Sequence, residues 1–248
     1  MSVASEITRL QNAKASLKTS INAKTDLQHQ ITDETLEDYA DFVDSITTGG
    51  ISLPDTYTRL AWLTSSGTQY IDTGYKPNAN SVVKILCGYM RSGGIMGARI
   101  DGSTDRYFLA AKAFKESNVI MGGHILLVYN DSLEVESNTN TLSYSYVSIS
   151  QSEFNVNNES YSNINITDYP DLSIYLFAIN TNGTANAFCS GSIGGFQVYE
   201  NNVLVHNFIP CYRNSDSVKG FYDVITNEFK TNSGTGSFTS VLVNDYYS

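Results

Sequence analysis

Three histidines, His29, His124 and His206, are the natural starting points for acid-base or metal chemistry in this sequence. None sits in an HExxH or His-x-His pattern and no carboxylates group around any of them, so the spacing offers no metallohydrolase centre. Solvated or hydrogen-bonded polar roles suit all three. A serine nucleophile is equally unsupported, because there is no GxSxG elbow and Ser215-Asp216 approaches His206 only along the chain. Gly93-Gly94, Gly122-Gly123 and Gly234-x-Gly236 lack the lysine and the strand-to-helix setting of a phosphate loop, which makes them turns. Glu134 and Glu136 alternate to one face and are the nearest approach to a glycosidase pair, which needs carboxylates about 5 Å apart for retention or about 6.5–9.5 Å for inversion. With Val135 between them, the wet face of an edge strand accounts for both. Cys87, Cys189 and Cys211 form an odd set without a CxxC pair, which excludes a cysteine-built zinc site and a disulfide-dense scaffold and leaves room for one bridge. No cofactor is required. Calcium is the one left open, since Asp101, Asp105, Asp168 and Asp171 offer oxygen donors but no EF-hand spacing.

The elements that must position these residues follow from composition. The chain has 248 residues, 15 Lys plus Arg against 25 Asp plus Glu, a formal charge of -10 and a pI near 4.6. Such a balance excludes a basic groove for a nucleic-acid backbone. Charged residues make up only 16% and hydrophobic residues 41%, with 17 Tyr, so a folded body is expected rather than an acidic disordered chain. The opening MSVASEITRLQ lacks the apolar core of a signal peptide, and VVKILCGYM and HILLVY are too short to cross a bilayer. A soluble protein without membrane partners is the expectation.

Residues 1–48 contain no Gly, Pro or Cys and carry four basic and eight acidic side chains. Val3, Ile7, Leu10, Leu17, Ile21 and Ile31 fall on alternating steps of four and three, with polar Lys14, Lys24 and Gln28 at the intervening positions, the imperfect heptad of an oligomerising or anchoring helical stem. Its apolar stripe is thin, so a helix here needs a partner surface. Thr32 or Asp33 caps a second run through Leu36, Tyr39, Ala40, Val43 and Ile46, which stops at Gly49-Gly50. Residues 49–56, ending near Pro54, form a linker.

Residues 57–243 change to short runs of Tyr, Val, Ile and Phe between Gly, Asn, Asp and Ser, the texture of strands and turns, and 244–248 are a tail. Expected strands include Leu60–Leu63, Ser81–Met90, Tyr107–Ala111, His124–Tyr129, Leu172–Ile179, Ala185–Tyr199 and Val203–Pro210. Asn201-Asn202 is a two-residue hairpin turn. Of 23 Asn, nearly all lie beyond Gly74, as an all-β surface of tight turns requires. A sandwich or barrel follows.

Two segments, WLTSSGTQYIDTGYKPN at 62–78 and IGGFQVYENNVLVHNFIPCYRNSDSVKGFYDVITNEFKTNSGTGSF at 193–238, resemble laminin-G-like, concanavalin-like jelly-roll modules of bacteriophage and prophage virion proteins from gut and low-GC bacteria. The resemblance spans roughly 57–240 and is strongest in its last quarter. ITRLQNAKASLKTSINAK followed by DETLEDYADFVDSI is similar to phage multimerisation or attachment stems; LQHQIT between the helices leaves open whether the chain turns back or runs on. The resemblance implies a mainly β, antiparallel concanavalin-like (laminin-G-like) jelly-roll sandwich preceded by an N-terminal helical stem. It further implies a virion location on the outside of the particle, with other phage capsid or tail proteins as partners.

The closing segment makes sense on its own chemistry. Phe196, Cys211 and Tyr222 supply apolar area, Gly220, Gly234 and Gly236 supply bends, and Arg213 can tie to Asp216 or Asp223. Trp62 and Tyr70 fit a core anchor better than a sugar-stacking platform, and they remain the candidate glycan contacts. These readings converge on a non-enzymatic head or tail fibre protein that self-associates, as a homotrimer, and displays a sandwich to bacterial surface polysaccharide. The alternative is a purely architectural head-fibre, decoration or collar protein; a depolymerase or an adhesin is less favoured.

Overall fold

The computed structural model describes residues 53–101, 105–116, 119–130 and 133–242. The stem positions Val3, Ile7, Leu10, Leu17, Ile21 and Ile31 lie outside the described residues, as does the tail. Eighteen strands are present among the described residues. The first ten are β1 Tyr57–Ser66, β2 Ile71–Asp72, β3 Ser81–Gly88, β4 Gly93–Arg99, β5 Arg106–Glu116, β6 Val119–Asn130, β7 Leu133–Asn140, β8 Tyr144–Ile149, β9 Phe154–Val156 and β10 Glu159–Tyr161. The rest are β11 Tyr175–Leu176, β12 Ile179–Thr181, β13 Thr184–Asn186, β14 Ser190–Glu200, β15 Val203–Arg213, β16 Lys219–Asp223, β17 Glu228–Thr231 and β18 Thr239–Leu242.

They form two sheets. The first runs β10-β9-β8-β3-β14-β1-β15-β16-β17, with β18 also on β1, and the second runs β13-β12-β4-β5-β6-β7, with β11 bridging β2 and β4. Every pair is antiparallel except β12 with β4. Alternation decides which way each strand faces. In β3, Val83, Ile85 and Cys87 are buried while Val82, Lys84 and Leu86 are half-exposed on the other side. Inward residues of the first sheet such as Ile85, Val147 and Phe196 join inward residues of the second such as Ile95, Leu109 and Leu127 in one core. The result is an antiparallel β-sandwich.

The hairpin at Asn201-Asn202 has φ of 49° and 66° at its two central residues, and Glu200 pairs with Val203 across it. That is the backbone of a type I′ turn. Asn130, Asn157, Asn182 and Asn227 also adopt left-handed backbone, which explains the Asn-rich composition.

Two expected turns are strand instead: Gly93-Gly94 opens β4 and Gly122-Gly123 lies within β6, each paired to β5, because cross-strand hydrogen bonds rather than local turn chemistry fix their backbone. Two expected strands are interrupted. Leu172–Ile179 is broken at Phe177, which is fully buried with φ of 66°. The break reverses the chain: Tyr175 and Leu176 run antiparallel to β4, whereas Asn180 and Thr181 run parallel to it. Ala185–Tyr199 is broken at Ala187, with φ of 49°, because β13 belongs to the second sheet and β14 to the first.

The two segments that carry the family resemblance lie against each other. Leu63 pairs with Ile193, Ser233 N–H donates to Tyr70 O at 2.9 Å, and Thr235 N–H donates to Thr68 O at 3.1 Å. A Cβ at Gly234 would lie 2.2 Å from Thr68 O, so this clasp admits only glycine without moving.

Candidate functional site

The polar residues of the closing segment brace the fold. Arg213 makes a bidentate pair with Asp216, Nη2 to Oδ2 at 2.6 Å and Nε to Oδ1 at 3.1 Å, and its guanidinium lies over Phe229. Asp223 is fully buried and accepts from Asn207 N–H at 2.9 Å, Ile225 N–H at 3.1 Å and Thr226 Oγ1 at 2.8 Å, with His206 Nδ1 at 2.6 Å. Burial pushes this carboxyl up, but the hydrogen bonds from His206, Asn207, Thr226 and Ile225 outweigh it and hold it below its ordinary value. Gly220, expected at a bend, lies instead within β16 between Cys211 and Thr231, where a Cβ would meet Lys230 O at 2.1 Å; Phe196, Cys211 and Tyr222 are buried. Gly236 turns with φ of 72°.

Elsewhere, Glu136 is held by Lys112 Nζ at 2.9 Å and His124 Nδ1 at 3.0 Å, while Glu134 is exposed. The three cysteines are free and buried, and burial pushes each thiol up to about 12, so none is a thiolate at neutral pH. Among the described residues no three His, Cys, Asp or Glu side chains group to hold a metal.

Trp62 and Tyr70 join different aromatic groups. Tyr70 packs on Tyr175 at 4.8 Å and Phe188 at 6.0 Å between ring centroids. Trp62 is 5% exposed, lies over Gly194, and stacks with Tyr144 at 4.5 Å and 23° between planes. Tyr144 in turn meets the edge of Tyr89 at 5.1 Å. Tyr89 and Tyr144 are 52% and 37% exposed, so this stack climbs from a covered indole to open rings.

Tyr89, the outermost of these rings, lines a cleft of about 350 Å³ on the outward face of the first sheet, and Tyr144 stands behind it. β1 supplies Thr64, Ser65 and Ser66 to it, β14 supplies Ser190, Gly191 and Ser192, and the loop after β3 supplies Tyr89 and Arg91. Strand register builds this arrangement. Tyr144, Gly88, Ser192 and Thr64 form one row across β8, β3, β14 and β1. A Cβ at Gly88 would lie 2.5 Å from Tyr144 Cδ1, so the missing side chain lets the ring lie down on the sheet toward the hydroxyls. Thr64 Oγ1 and Ser192 Oγ, on two residues that line the cleft, are 2.7 Å apart in one hydrogen bond, which leaves a second O–H and further lone pairs uncommitted by it. Ser66 and Ser190 are the next outward pair in register, with the Ser66 hydroxyl held by the Gln69 amide.

The loop is bolted down. Met90 is buried and its N–H donates to Thr141 O at 2.9 Å, Arg91 N–H donates to Ser190 O at 2.9 Å, and Cys189 Sγ–H donates to Arg91 O at 3.1 Å. A Cβ at Gly191 would lie 2.5 Å from Met90 Sδ, so glycine there permits the close approach. Tyr89 itself has φ of 53°, a strained backbone for an aromatic residue at the rim of a site. Arg91 is the one charged side chain lining the cleft.

Sequence reasoning missed Tyr89, Arg91 and Tyr144. Their only local signal is alternation of hydroxyl residues in Thr64-Ser65-Ser66 and Ser190-Gly191-Ser192; the cross-strand register that joins them is not written locally.

No family model matches the sequence, and no curated protein does. Among solved structures, a Bacteroides ovatus protein assigned to carbohydrate binding is similar with a TM-score of 0.45 and 11% identity, over 74% of this chain and 60% of that one. The chain therefore spans less than two thirds of that protein's length. The CBM40 of a Ruminococcus gnavus IT-sialidase is similar with a TM-score of 0.34 and 17% identity, over 59% of this chain and 91% of that one.

Proposed function

We propose that this chain is a non-enzymatic attachment protein of a bacteriophage particle, in which residues 1–48 oligomerise and anchor and the sandwich takes bacterial surface saccharide into the cleft beside Tyr89 and Tyr144. One observation carries the saccharide reading: the open Tyr89 ring, backed by Tyr144, lines a cleft together with serine and threonine residues on a sheet face. A sugar ring has an apolar C–H face that suits an aromatic surface and a rim of hydroxyls that suits Ser and Thr donors and acceptors. The phage setting is supported by the resemblance over residues 57–240 and by the stem pattern. An external position on the virion, a trimeric stem and contacts to capsid or tail proteins belong to the same proposal. The cleft holds hydroxyls and an arginine but no carboxylate, the wrong set for glycoside hydrolysis.

Titration of the full-length chain with oligosaccharides from bacterial surface polysaccharides tests this. Binding without reducing-end release is expected, and Tyr89→Ala lowers affinity roughly 3- to 10-fold. Binding that ignores Tyr89→Ala would move the site elsewhere. No binding to any saccharide would leave the architectural role, and release of reducing ends would make the protein an enzyme.

A further inference from the structure

We infer that the saccharide is an anionic chain, bearing carboxylate or phosphate, that lies along the outward face of β8, β3 and β14 with Arg91 and Lys84 as its two charge contacts. This rests on the cleft being a saccharide site and names the class of saccharide.

The outward positions follow from register. Tyr144, Tyr146 and Ser148 of β8 stand opposite Gly88, Leu86 and Lys84 of β3. Across β14, Ser192, Gln197 and Tyr199 stand opposite Gly88, Lys84 and Val82. The chain carries 25 Asp and Glu against 15 Lys and Arg, yet none of these outward positions is acidic. The cleft at one end of the face is likewise lined by no carboxylate. The two cations flank the aromatic residues. Arg91 lines the cleft, and Lys84 Nζ sits 4.5 Å over the Tyr199 ring. Arg91 and Lys84 have no carboxylate partner among the described residues, as is true of Arg59 and Lys219, so what sets the two apart is their place beside the open tyrosines of this face.

Length favours a chain over a single sugar. Gly88 and Lys84 are four residues apart on β3, about 13 Å along the strand. The Tyr144 ring stands at the Gly88 end, and the Tyr146 ring, 46% exposed, lies opposite Leu86 between the two ends. Two unpaired cations separated by open tyrosines match a polymer with repeated negative charges.

The test uses the full-length protein with three probes of equal length: oligogalacturonate for carboxylate, glycerol-phosphate oligomers for phosphate, and neutral galactose oligomers. At low salt at least one anionic probe binds about tenfold tighter than the neutral probe, and the difference shrinks as salt is raised. Arg91→Gln and Lys84→Gln each reduce the anionic-to-neutral ratio roughly 3- to 10-fold, while Lys219→Gln, away from this face, leaves the ratio as it was. Whichever anionic probe is preferred assigns carboxylate or phosphate as the charged group. A ratio near one in the unaltered protein, with neutral binding still sensitive to Tyr89→Ala, overturns this inference and spares the saccharide site. Loss of all saccharide binding, or binding indifferent to Tyr89→Ala, removes the site and the inference together.

Discussion

Tyr89 and Asp223 show opposite uses of a residue. Tyr89 is an open aromatic held at φ of 53° by a neighbouring buried methionine, a conformation that costs of order 1–3 kcal/mol and serves no packing in the core. Asp223 is a buried carboxylate whose backbone, hydroxyl and imidazole partners are all local to β15, β16 and the turn that follows. Removing it strands buried donors, so Asp223→Ala is expected to lower stability by roughly 3–5 kcal/mol. Its pH signature has a definite sign. Burial raises this carboxyl and the hydrogen bonds lower it further than burial raises it, so the folded value lies below the unfolded one. The stabilisation is therefore complete above the ordinary carboxyl range and fades as pH falls through the depressed folded value. Urea unfolding of the unaltered protein and of Asp223→Asn should show a gap at neutral pH that closes in acid; a gap independent of pH would mean that the carboxylate charge contributes nothing.

At the scale of elements, the site depends on how closely the loop after β3 approaches the start of β14. Gly191 and Gly183 separate sterics from backbone conformation, because both have positive φ but only Gly191 is crowded. A Cβ at Gly191 would lie 2.5 Å from Met90 Sδ and 2.9 Å from Met90 Cα, whereas nothing lies within 4 Å at Gly183. Gly183→Ala should cost about 1 kcal/mol, the backbone penalty alone. Gly191→Ala should cost roughly 1–3 kcal/mol more and weaken saccharide binding by displacing Tyr89 and Arg91. Equal losses in thermal unfolding would show that the contact with Met90 is soft. The same contrast marks what the sequence reveals. Alternation made β3, β14 and β15 legible, and Asn201-Asn202 announced its own hairpin, because both signals are local, whereas Gly122-Gly123 hid the continuity of β6. The reversal at Phe177 was illegible, since an aromatic residue with left-handed backbone is imposed by β4 on one side and Cys189 on the other. The cleft was illegible for a related reason: Thr64, Arg91, Tyr144 and Ser192 become neighbours only through long-range register.

For the molecule as a whole, the proposed attachment role divides the work between the leading 48 residues and the sandwich in a way that affinity measurements can test. An open cleft lined by one tyrosine, one arginine and a few hydroxyls has few groups with which to hold a sugar, so an attachment protein built on it would gain from presenting several copies together. The apolar stripe through Val3, Ile7, Leu10, Leu17, Ile21 and Ile31 is thin for a lone helix and suited to burial between copies. Replacing Leu10 and Leu17 together with Asp puts charge in that stripe, and sedimentation should then report a monomer where the unaltered chain is an oligomer. Soluble oligosaccharide should bind both forms equally, because each cleft is complete within one chain. Binding to immobilised polysaccharide should fall by about 10²- to 10⁴-fold as multivalency is lost. A doubly substituted chain that remains oligomeric would place the association surface outside the stripe, and an unaltered chain that sediments as a monomer would remove multivalent attachment altogether.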